Sequence, residues 1–343
     1  MKPINDHESV TVVTVTYGRR WCFLQEVLES LLAEQPAVRE IVVVNNNAQD
    51  DIAAAVLSLR NDRVRVVHLS ENTGSAMGYG VGIEAAIKET ESGYILLLDD
   101  DNVLEPGALA VLMKAHAEVA NEIPIDRLAV LGFRPEHQAD LAAGLPVERA
   151  EHHPNSFFGF HVVDIPFKLL RRMPWVMRRY GTRPLPQRVR VRTGPYSGLL
   201  FHRAVVERVG TPNPDLVLYA DDTEFTYRLT AIGGGIWLIP GARLADLESS
   251  WNAKTRFATS FTGWLCGEGD QRAYYGARNQ AYFEGHCRDH NPLVRGLNQA
   301  VYLALLALMA VRLRRMARLR LLLNAIRDGS AGHLGLHPGF PLG

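Results

Sequence analysis

The chain has 343 residues, of which 47% are apolar and 22% charged, and it contains three cysteines. These proportions are typical of a globular protein of one large or two small domains and exclude a collagenous, disordered or disulfide-stapled chain. Its 37 basic and 37 acidic side chains are unevenly placed, with 12 basic and 23 acidic groups in residues 1–150 against 25 and 14 in residues 151–343, which argues against a uniform nucleic-acid binder.

The cysteines and the amino terminus both bear on the compartment. Cys22, Cys266 and Cys287 show no CxxC spacing, so we expect neither a disulfide framework nor a thiolate zinc site. Residues 1–10 lack the apolar segment of a signal peptide, and export is therefore not expected. Both observations predict a cytoplasmic protein in a reducing setting.

Short apolar strands alternate with helical patterns over the first third of the chain. The strands are rich in β-branched residues, and apolar residues recur at helical spacing between them. The predicted strands cover residues 10–17, 41–47, 64–70 and 94–101, and the predicted helices begin near residues 21, 50, 76 and 106. This alternation predicts an α/β fold with a mostly parallel central sheet covered by helices on both faces.

Residues 134–195 form an irregular, proline-rich insertion, after which a strand at 196–203 and helices at 204–209 and 223–232 are predicted. Basic residues in the insertion follow one another without an intervening acid: Lys168, Arg171, Arg172, Arg178, Arg179, Arg183, Arg188, Arg190 and Arg192. The insertion is therefore either a solvated loop or a surface that meets phosphate or anionic lipid headgroups.

The carboxyl-terminal region is predicted to be helical. Residues 301–311 form an apolar run that is too short to span a bilayer, and Arg312, Arg314, Arg315, Arg318 and Arg320 follow it. Two interpretations stay open: a core-packing helix with a basic outer face, or an in-plane amphipathic helix on the inner face of the cell membrane. The predicted organisation is a domain over residues 1–255, a helical region over 256–330 and a tail over 331–343.

Three carboxylates directly follow the predicted strand at 94–101, in the sequence LLLDDDNVLEP. Alternate residues of an extended chain share a face, so Asp99 and Asp101 can point at one cation while Asp100 points away. Such hard oxygen ligands suit Mg²⁺ or Mn²⁺. A turn that caps the next helix would explain one of these residues, but not three adjacent like charges.

A second acidic pair, Asp221 and Asp222, precedes the helix predicted at 223–232. Capping that helix needs only one of them. A second carboxylate opposite a metal site is what a general base for a hydroxyl nucleophile requires.

Five motifs, in their order along the chain, resemble the family 2 glycosyltransferases, which are inverting enzymes with the nucleotide-sugar-binding GT-A fold. The resemblance covers about residues 10–115 and 193–250. VTVVTVTYGRR resembles the nucleotide-contacting strand and loop, IVVVNNN the second strand, ENTGSAMGYGVGIEAA the Asn-x-Gly segment, LLLDDDNVLEPGAL the metal-binding DxD strand, and ADDTEFTYRLTAIGG the acceptor-side motif. DDTEFTYRL together with TYGR is most similar to the galactofuranosyl- and rhamnosyltransferase branch.

The resemblance implies transfer of a sugar from a UDP- or dTDP-linked donor to a hydroxyl of a cell-surface or lipid-linked glycan. Asp99 and Asp101 would hold Mn²⁺ or Mg²⁺, and Asp222 would be the catalytic base. Asp221 and Glu224 would bind the acceptor, with Arg228 as an ion-pair partner of Glu224. The residues implied to bind the nucleotide are Thr16, Tyr17, Arg19, Asn45, Asn72, Gly74 and Asp100.

Two positions depart from the family pattern. Asn45 stands where many relatives have an Asp that helps to hold the nucleobase. A His completes the metal site in the relatives, whereas the matching stretch here is GARLADLESSW, with Asp246 as the candidate ligand and Glu248 as the fallback. GEGDQRAYYGARNQAYF resembles a late helix of the same branch, and its Tyr275, Arg278 and Asn279 are either acceptor contacts or packing residues.

Two other functions stay open. A nucleotidyltransferase on a related fold would also use paired carboxylates and Mg²⁺, but it expects a glycine-rich basic loop, of which TYGRR is a poor version. A non-catalytic glycan- or lipid-binding protein could retain a transferase scaffold, although the presence of all the core carboxylates argues against it.

Overall fold

A mixed sheet dominates the computed structural model, which describes residues 9–34, 38–145, 153–170, 184–248, 259–288 and 290–342. Within these residues the sheet has nine strands, in the order β3-β2-β1-β4-β8-β6-β9-β5, with β7 paired to β9. The strands are β1 (Val10–Thr16), β2 (Val38–Asn46), β3 (Val64–Leu69), β4 (Tyr94–Leu97), β5 (Asn102–Leu104), β6 (Leu128–Phe133), β7 (Val189–Val191), β8 (Leu199–His202) and β9 (Gly235–Asp246).

The strand directions bring the predicted polar clusters to one edge. β1, β2, β3 and β4 are parallel neighbours, β6 and β9 run the same way, and β8 is inserted antiparallel between β4 and β6. β5 and β7 are antiparallel to β9. The carboxyl ends of β1, β2 and β4 therefore meet, as ligand sites in α/β sheets require.

Helices cover both faces of the sheet, which confirms the predicted α/β architecture. The helices of this part are α1 (Trp21–Ala33), α2 (Ile52–Ser58), α3 (Gly74–Glu89), α4 (Ala108–Val119), α5 (Ala139–Ala142), α6 (Ile165–Leu170), α7 (Ala204–Val209) and α8 (Asp221–Ala231). Leu24, Leu28 and Leu31 of α1 belong to the apolar core on one face, and Ile83 of α3 and Phe225 of α8 belong to the core on the other.

β9 is bent, and the bend determines the position of its last residue. Its pairing with β6 shifts from Gly132 opposite Ile239 to Phe133 opposite Arg243. The chain leaves the register over residues 240–242, where Pro240 cannot donate to a ladder hydrogen bond. The second half of β9 then pairs with β5, which brings Asp246 opposite Asn102.

The predicted carboxyl-terminal helical region is present as α9 (Ser260–Cys266), α10 (Asp270–Tyr282), a π-helical segment (Phe283–Cys287), α11 (Pro292–Arg312) and α12 (Met316–Ser330). These helices share a third apolar core that contains Tyr275, Tyr302 and Leu322. Residues 331–342 also pack here, since the ring of Phe340 stacks on that of Tyr274 with 4.5 Å between centroids.

α11 is longer than the predicted apolar run. It has 21 residues, and by length and composition it could cross a membrane. Of its most apolar stretch, 22% is buried in the protein. The apolar run at 301–311 is shorter than the helix because the apolar residues Leu293, Val294 and Leu297 precede it.

Part of the basic insertion falls outside the described residues, including Arg171, Arg172, Arg178, Arg179 and Arg183. Of the remaining basic residues, Arg188 forms an ion pair with Glu122 (2.7 Å), and the guanidinium of Arg190 lies 5.6 Å from the ring centroid of Trp237. These two arginines therefore contact the protein itself.

Candidate active site

The three consecutive carboxylates after β4 have different surroundings. Asp99 accepts a hydrogen bond from the Tyr79 hydroxyl (2.7 Å), and its side chain is 37% exposed. Asp100 is buried and receives Arg20 Nε on both oxygens, at 2.9 and 3.0 Å. Asp101 accepts from Arg20 Nη2 at 2.7 Å and is 20% exposed. Asp99 and Asp101 thus keep solvent-accessible oxygens, while Asp100 is held by the protein.

Arg20 is the residue that organises this carboxylate run, and the sequence did not single it out. Besides Asp100 and Asp101 it contacts Glu248 through Nη1 at 2.5 Å, and it lies 5.5 Å from the ring centroid of Tyr17. The predicted nucleotide ligand, Arg19, instead donates from Nε to Gln49 at 3.0 Å. Arg19 and Arg20 are adjacent in TYGRR, and α1 begins directly after Arg20. The sequence pattern alone therefore does not indicate which of the two contacts the carboxylates.

Asp246 lies in a polar cluster of its own. Its Oδ1 accepts from Asn102 Nδ2 (2.7 Å) and from Arg134 Nε (2.9 Å) and Nη2 (2.5 Å), and its Oδ2 lies 3.7 Å from His137 Nε2. Among the described residues no three His, Cys, Asp or Glu side chains are grouped closely enough to hold a metal. In this structure the side chain of Asp246 thus contacts Asn102, Arg134 and His137.

Arg134, which sequence reasoning also missed, connects the two clusters. It is the first residue after β6 and is buried, and its Nη1 lies 3.6 Å from Asp99. His137 lies beside it, 2.9 Å from Nη2, and burial, with the charge of Arg134, lowers the pKa of His137. A single buried arginine thus faces both Asp99 and Asp246.

Negative charge exceeds positive charge at this edge. The guanidinium groups of Arg20 and Arg134 face five carboxylates, those of Asp99, Asp100, Asp101, Asp246 and Glu248. Burial raises the pKa of Asp101, and the nearby charge of Asp99 raises it further. Accessible carboxylate oxygens with excess negative charge fit a hard divalent cation, so the donor set of Asp99 and Asp101 suits Mn²⁺ or Mg²⁺.

Asp221 and Asp222 are the first two residues of α8, which begins two residues before the predicted helix start. Asp221 is buried and accepts from the Ser75 hydroxyl at 2.8 Å. Asp222 accepts from the amide (2.6 Å) and hydroxyl (3.1 Å) of Thr223.

The acidity of this pair is shifted toward neutral pH. Burial raises the pKa of Asp221 to about 7, and the charge of Asp222 adds to the shift. Burial likewise raises the pKa of Asp222 to about 6; the hydrogen bonds from Thr223 oppose this shift, and the charge of Asp99 adds to it. Because Asp99 influences Asp222, the two acidic clusters lie within electrostatic reach. A carboxylate of this basicity can accept a proton near neutral pH.

Glu224 forms the predicted ion pair with Arg228, whose Nε lies 3.1 Å from Oε1. Burial raises the pKa of Glu224. Arg228 is fixed in turn by the carbonyl oxygens of Val209 and Thr211. Arg228 therefore anchors α8 to the end of α7 and the segment that follows it.

The predicted nucleotide residues at the ends of β1 and β2 differ in accessibility. Thr16 is fully buried, whereas Tyr17 is 41% exposed and presents its ring at the strand end. The side chain of Asn45 forms contacts within the protein: its Oδ1 accepts from the Ala48 amide (2.8 Å), and its Nδ2 lies 3.2 Å from His68 Nδ1.

Asn46, a buried residue at the end of β2, shapes the loop after β3. Its Nδ2 donates to Asn72 Oδ1 and to the Gly74 carbonyl, both at 3.1 Å, and its Oδ1 accepts from the Thr73 amide at 2.9 Å. The predicted residues Asn72 and Gly74 are therefore held against the end of β2.

Gly74 is the point at which this loop meets the segment before α8. Its φ is +84°, and a Cβ at this position would lie 2.1 Å from the carbonyl oxygen of Val217. Only glycine permits this approach, because any side chain would meet backbone atoms that cannot move aside. The loop after β3 and the segment before α8 are therefore in direct backbone contact here.

Replacing Gly74 by alanine is expected to lower the free energy of unfolding by about 3 kcal/mol or more, since a positive φ and a backbone clash are combined. Gly233→Ala is the matched control, because Gly233 has φ +83° with no atom within 4 Å of the added Cβ. That control is expected to cost about 1 kcal/mol. Urea unfolding measures both, and equal losses would contradict the close approach.

Tyr275, Arg278 and Asn279 do not face an acceptor. Their exposed fractions are 0%, 1% and 0%, and they lie on the inner face of α10. Of the two interpretations of this helix, the structure supports packing.

Comparison with known proteins identifies the fold and the family. The model of the family described as Glycosyl transferase family 2 matches residues 11–201. The succinoglycan biosynthesis protein ExoO of Rhizobium meliloti (strain 1021) is 29% identical over 124 residues, which are 36% of this chain and 34% of that protein. The chain thus matches about a third of the length of this curated relative.

Two solved structures share the fold at low identity. One is GalNAc-T7 with UDP, GalNAc and Mn²⁺, with a TM-score of 0.51 and 15% identity over 71% of this chain and 43% of that one. The other is the mannosyltransferase PcManGT from Pyrobaculum calidifontis in complex with GDP-Man and Mn²⁺, also with a TM-score of 0.51 and 15% identity, over 96% of this chain and 76% of that one. The family model covers more than half of the chain, and the sheet and its helices are those of a GT-A fold. The protein belongs to glycosyl transferase family 2.

Proposed function

We propose that this protein is a metal-dependent inverting glycosyltransferase that moves a sugar from a nucleoside diphosphate to a hydroxyl of a cell-surface or lipid-linked glycan. The observation that carries the proposal is the pair of acidic clusters at one sheet edge, Asp99–Asp101 and Asp221–Asp222. Both contact α3, since Ser75 donates to Asp221 at 2.8 Å and Tyr79 donates to Asp99 at 2.7 Å. A single base opposite the leaving group produces in-line attack and inversion of the anomeric carbon. The relative named for succinoglycan biosynthesis supports a role in polysaccharide biosynthesis.

On the donor side, Asp99 and Asp101 would hold Mn²⁺ or Mg²⁺, with Asp246 or Glu248 as a further ligand. The bound ion would act as a Lewis acid that neutralises charge on the departing diphosphate. The exposed ring of Tyr17 is available to stack on the nucleobase, as aromatic side chains do with bases.

The remaining nucleotide contacts are proposed for Thr16, Arg19, Asn45, Asn72, Gly74 and Asp100. UDP and dTDP are the proposed donor nucleotides on the sequence motifs, with a galactofuranose- or rhamnose-type sugar. The neighbouring structures were solved with UDP and with GDP-Man, so a guanine nucleotide belongs in the same test.

On the acceptor side, Asp222 would remove the proton of the attacking hydroxyl. Its pKa of about 6 leaves it ionised at neutral pH and still basic enough to accept that proton. Asp221, with a pKa of about 7 and a hydrogen bond from Ser75, would orient the acceptor together with Glu224.

The reaction itself tests the proposal. The protein is incubated with UDP-, dTDP- and GDP-linked sugars, Mn²⁺ and a glycan acceptor, and released nucleotide and product are followed by NMR. We expect release of a nucleoside diphosphate with inversion at the anomeric carbon, abolished by EDTA. In a parallel reaction with a nucleoside triphosphate and a sugar 1-phosphate, formation of pyrophosphate and a nucleotide sugar would indicate a nucleotidyltransferase instead. No turnover in either reaction would favour the non-catalytic binding protein.

We also propose that α11 and the start of α12 attach the protein peripherally to an anionic membrane on the cytoplasmic side. The outer face of α11 carries Leu293, Leu297, Leu308 and Val311, whose side chains are 83%, 56%, 65% and 63% exposed. Their spacing puts them along one stripe, while Tyr302 and its neighbours on the inner face are buried. Exposed arginines follow along the chain at the end of α11, in the next turn and in α12: Arg312, Arg314, Arg315 and Arg320. Apolar side chains next to cations match an anionic lipid surface.

Binding to lipid vesicles checks this attachment. At low salt the protein should co-sediment with phosphatidylglycerol vesicles and dissociate as salt rises. Arg312→Ala with Arg315→Ala should weaken binding about 30-fold, at about 1 kcal/mol for each arginine. Lys88→Ala with Lys114→Ala removes the same charge from exposed positions on α3 and α4 and should change little. Equal binding to phosphatidylcholine and phosphatidylglycerol vesicles would contradict the electrostatic contribution.

A further inference from the structure

The backbone that leads into α8 is strained. Val217 has φ 67° and ψ −67°, and the Leu218 amide donates to the Leu216 carbonyl at 2.7 Å, which forms a tight three-residue turn. Tyr219 and Ala220 also have positive φ, at 67° and 58°. Such conformations cost about 1–3 kcal/mol each in residues other than glycine, and they persist only where the surroundings enforce them.

The side chain of Asn279 supplies much of that enforcement. It is fully buried on α10, and its Nδ2 donates to the carbonyl oxygens of Leu216 (2.6 Å), Leu218 (2.8 Å) and Tyr219 (2.8 Å). Two amide hydrogens are thus shared among three carbonyls that the strained turn has brought to one side. Oδ1 accepts from Arg278 Nε at 2.8 Å, which fixes the orientation of the amide.

Arg278 also holds this segment, through the same Leu216 carbonyl. Its Nη2 donates to the Leu216 carbonyl at 3.1 Å, and its Nη1 donates to the Gly335 carbonyl at 2.5 Å. The Gly335 amide in turn donates to the Asp215 carbonyl at 2.7 Å. A buried guanidinium is costly unless its donors are satisfied, and here they are directed at backbone carbonyls of this segment and of the tail.

We propose that Arg278 and Asn279 are positioning residues for catalysis: they hold residues 216–220 in the strained conformation that sets where α8 begins. Asp222 lies two residues beyond Ala220, so this conformation determines how the Asp222 carboxylate faces Asp99 across the site. The inference rests on the proposed role of Asp222 as the base. A displacement of about 1 Å at a reacting group can cost about 100-fold in rate.

Asn279→Asp is the primary test. It keeps the acceptor for Arg278 but replaces the Nδ2 donor by an oxygen facing three carbonyls. We expect kcat to fall about 10- to 100-fold with donor affinity unchanged, and the Val217 and Leu218 amides to exchange with solvent at least about tenfold faster. Asn298→Asp is the matched control, because Asn298 is also fully buried, accepts from Val162 (3.0 Å) and donates to the Asn155 carbonyl (2.8 Å), away from this segment.

Asn279→Ser serves if the aspartate variant does not fold, because serine is uncharged and can donate one hydrogen bond only. Faster exchange at residues 216–220 together with a fall in kcat, both absent from Asn298→Asp, is the expected result. Unchanged exchange would overturn the restraint, and faster exchange with wild-type kcat would overturn its role in catalysis. A wild-type protein that transfers no sugar would instead refute the proposed function, while the exchange measurement would still report on the restraint.

Discussion

Asp222→Asn is expected to lower turnover by about 10²–10⁴-fold while the protein still folds and binds its donor. Asparagine keeps the shape of the side chain and can still accept the hydrogen bonds from Thr223, which lie at 2.6 and 3.1 Å from Oδ1. It cannot accept the proton of an acceptor hydroxyl. Steady-state rates together with donor titration by calorimetry separate the loss of turnover from a loss of binding.

The pH profile is the internal control for this assignment. Burial raises the pKa of Asp222 to about 6, so the wild-type kcat/KM should fall about tenfold per pH unit below that value, as the carboxylate becomes protonated. The residual activity of Asp222→Asn should lack this acid limb. Asp62→Asn, which removes an exposed carboxylate from the turn before β3, should behave as wild type. Near-wild-type turnover in Asp222→Asn would refute Asp222 as the base.

Asp101→Ala is expected to weaken metal-dependent donor binding by about 100-fold, the second largest effect. Asp101 is 20% exposed, and the charge of Asp99 raises the pKa of its carboxyl group. Its loss removes a proposed metal ligand and frees the Arg20 Nη2 donor, which is 2.7 Å away. The affinity for nucleotide is measured with Mn²⁺ and with EDTA, and the ratio of the two affinities should fall toward one.

Two further variants distinguish the candidates for an additional ligand. Asp246→Asn retains acceptors for Asn102 and Arg134 but loses the negative charge of a side chain that is 6% exposed. Glu248→Gln loses the charge of a side chain that is 49% exposed and contacts Arg20. The variant that lowers metal affinity identifies the ligand. A wild-type donor affinity that is equal with Mn²⁺ and with EDTA would exclude the metal site altogether.

The carboxylates of the site could be predicted from the sequence, but their cationic partners could not. Asp99, Asp100 and Asp101 follow a continuous apolar strand, and parallel strands end at one edge, so local pattern is sufficient to bring them to the site. Arg134 follows β6, which joins this edge only because β8, later in the chain, inserts between β4 and β6. Strand order of this kind is a long-range property that hydrophobic periodicity does not contain.

The same limit applies to Asp246 and Asn279. Asp246 is the last residue of β9, where the sequence predicts an accessible metal ligand, but the bend in β9 brings it against Arg134 and Asn102. Asn279 lies in a helix rich in polar residues, whose composition favours exposure. It is buried because a strained turn elsewhere in the chain supplies three carbonyl acceptors. Predicting the role of Asp246 requires the backbone conformation of β9, and predicting that of Asn279 requires the conformation of residues 216–219.

The most direct test of the central claim is a calorimetric titration of the purified protein with UDP and with dTDP, each in Mn²⁺, in Mg²⁺ and in EDTA. A metal-dependent nucleotide-sugar transferase is predicted to bind one of these nucleotides with a divalent ion and to bind it much more weakly in EDTA. Such binding would establish the donor class and the role of Asp99 and Asp101 together. Absence of binding to either nucleotide under all three conditions would contradict the proposed donor site.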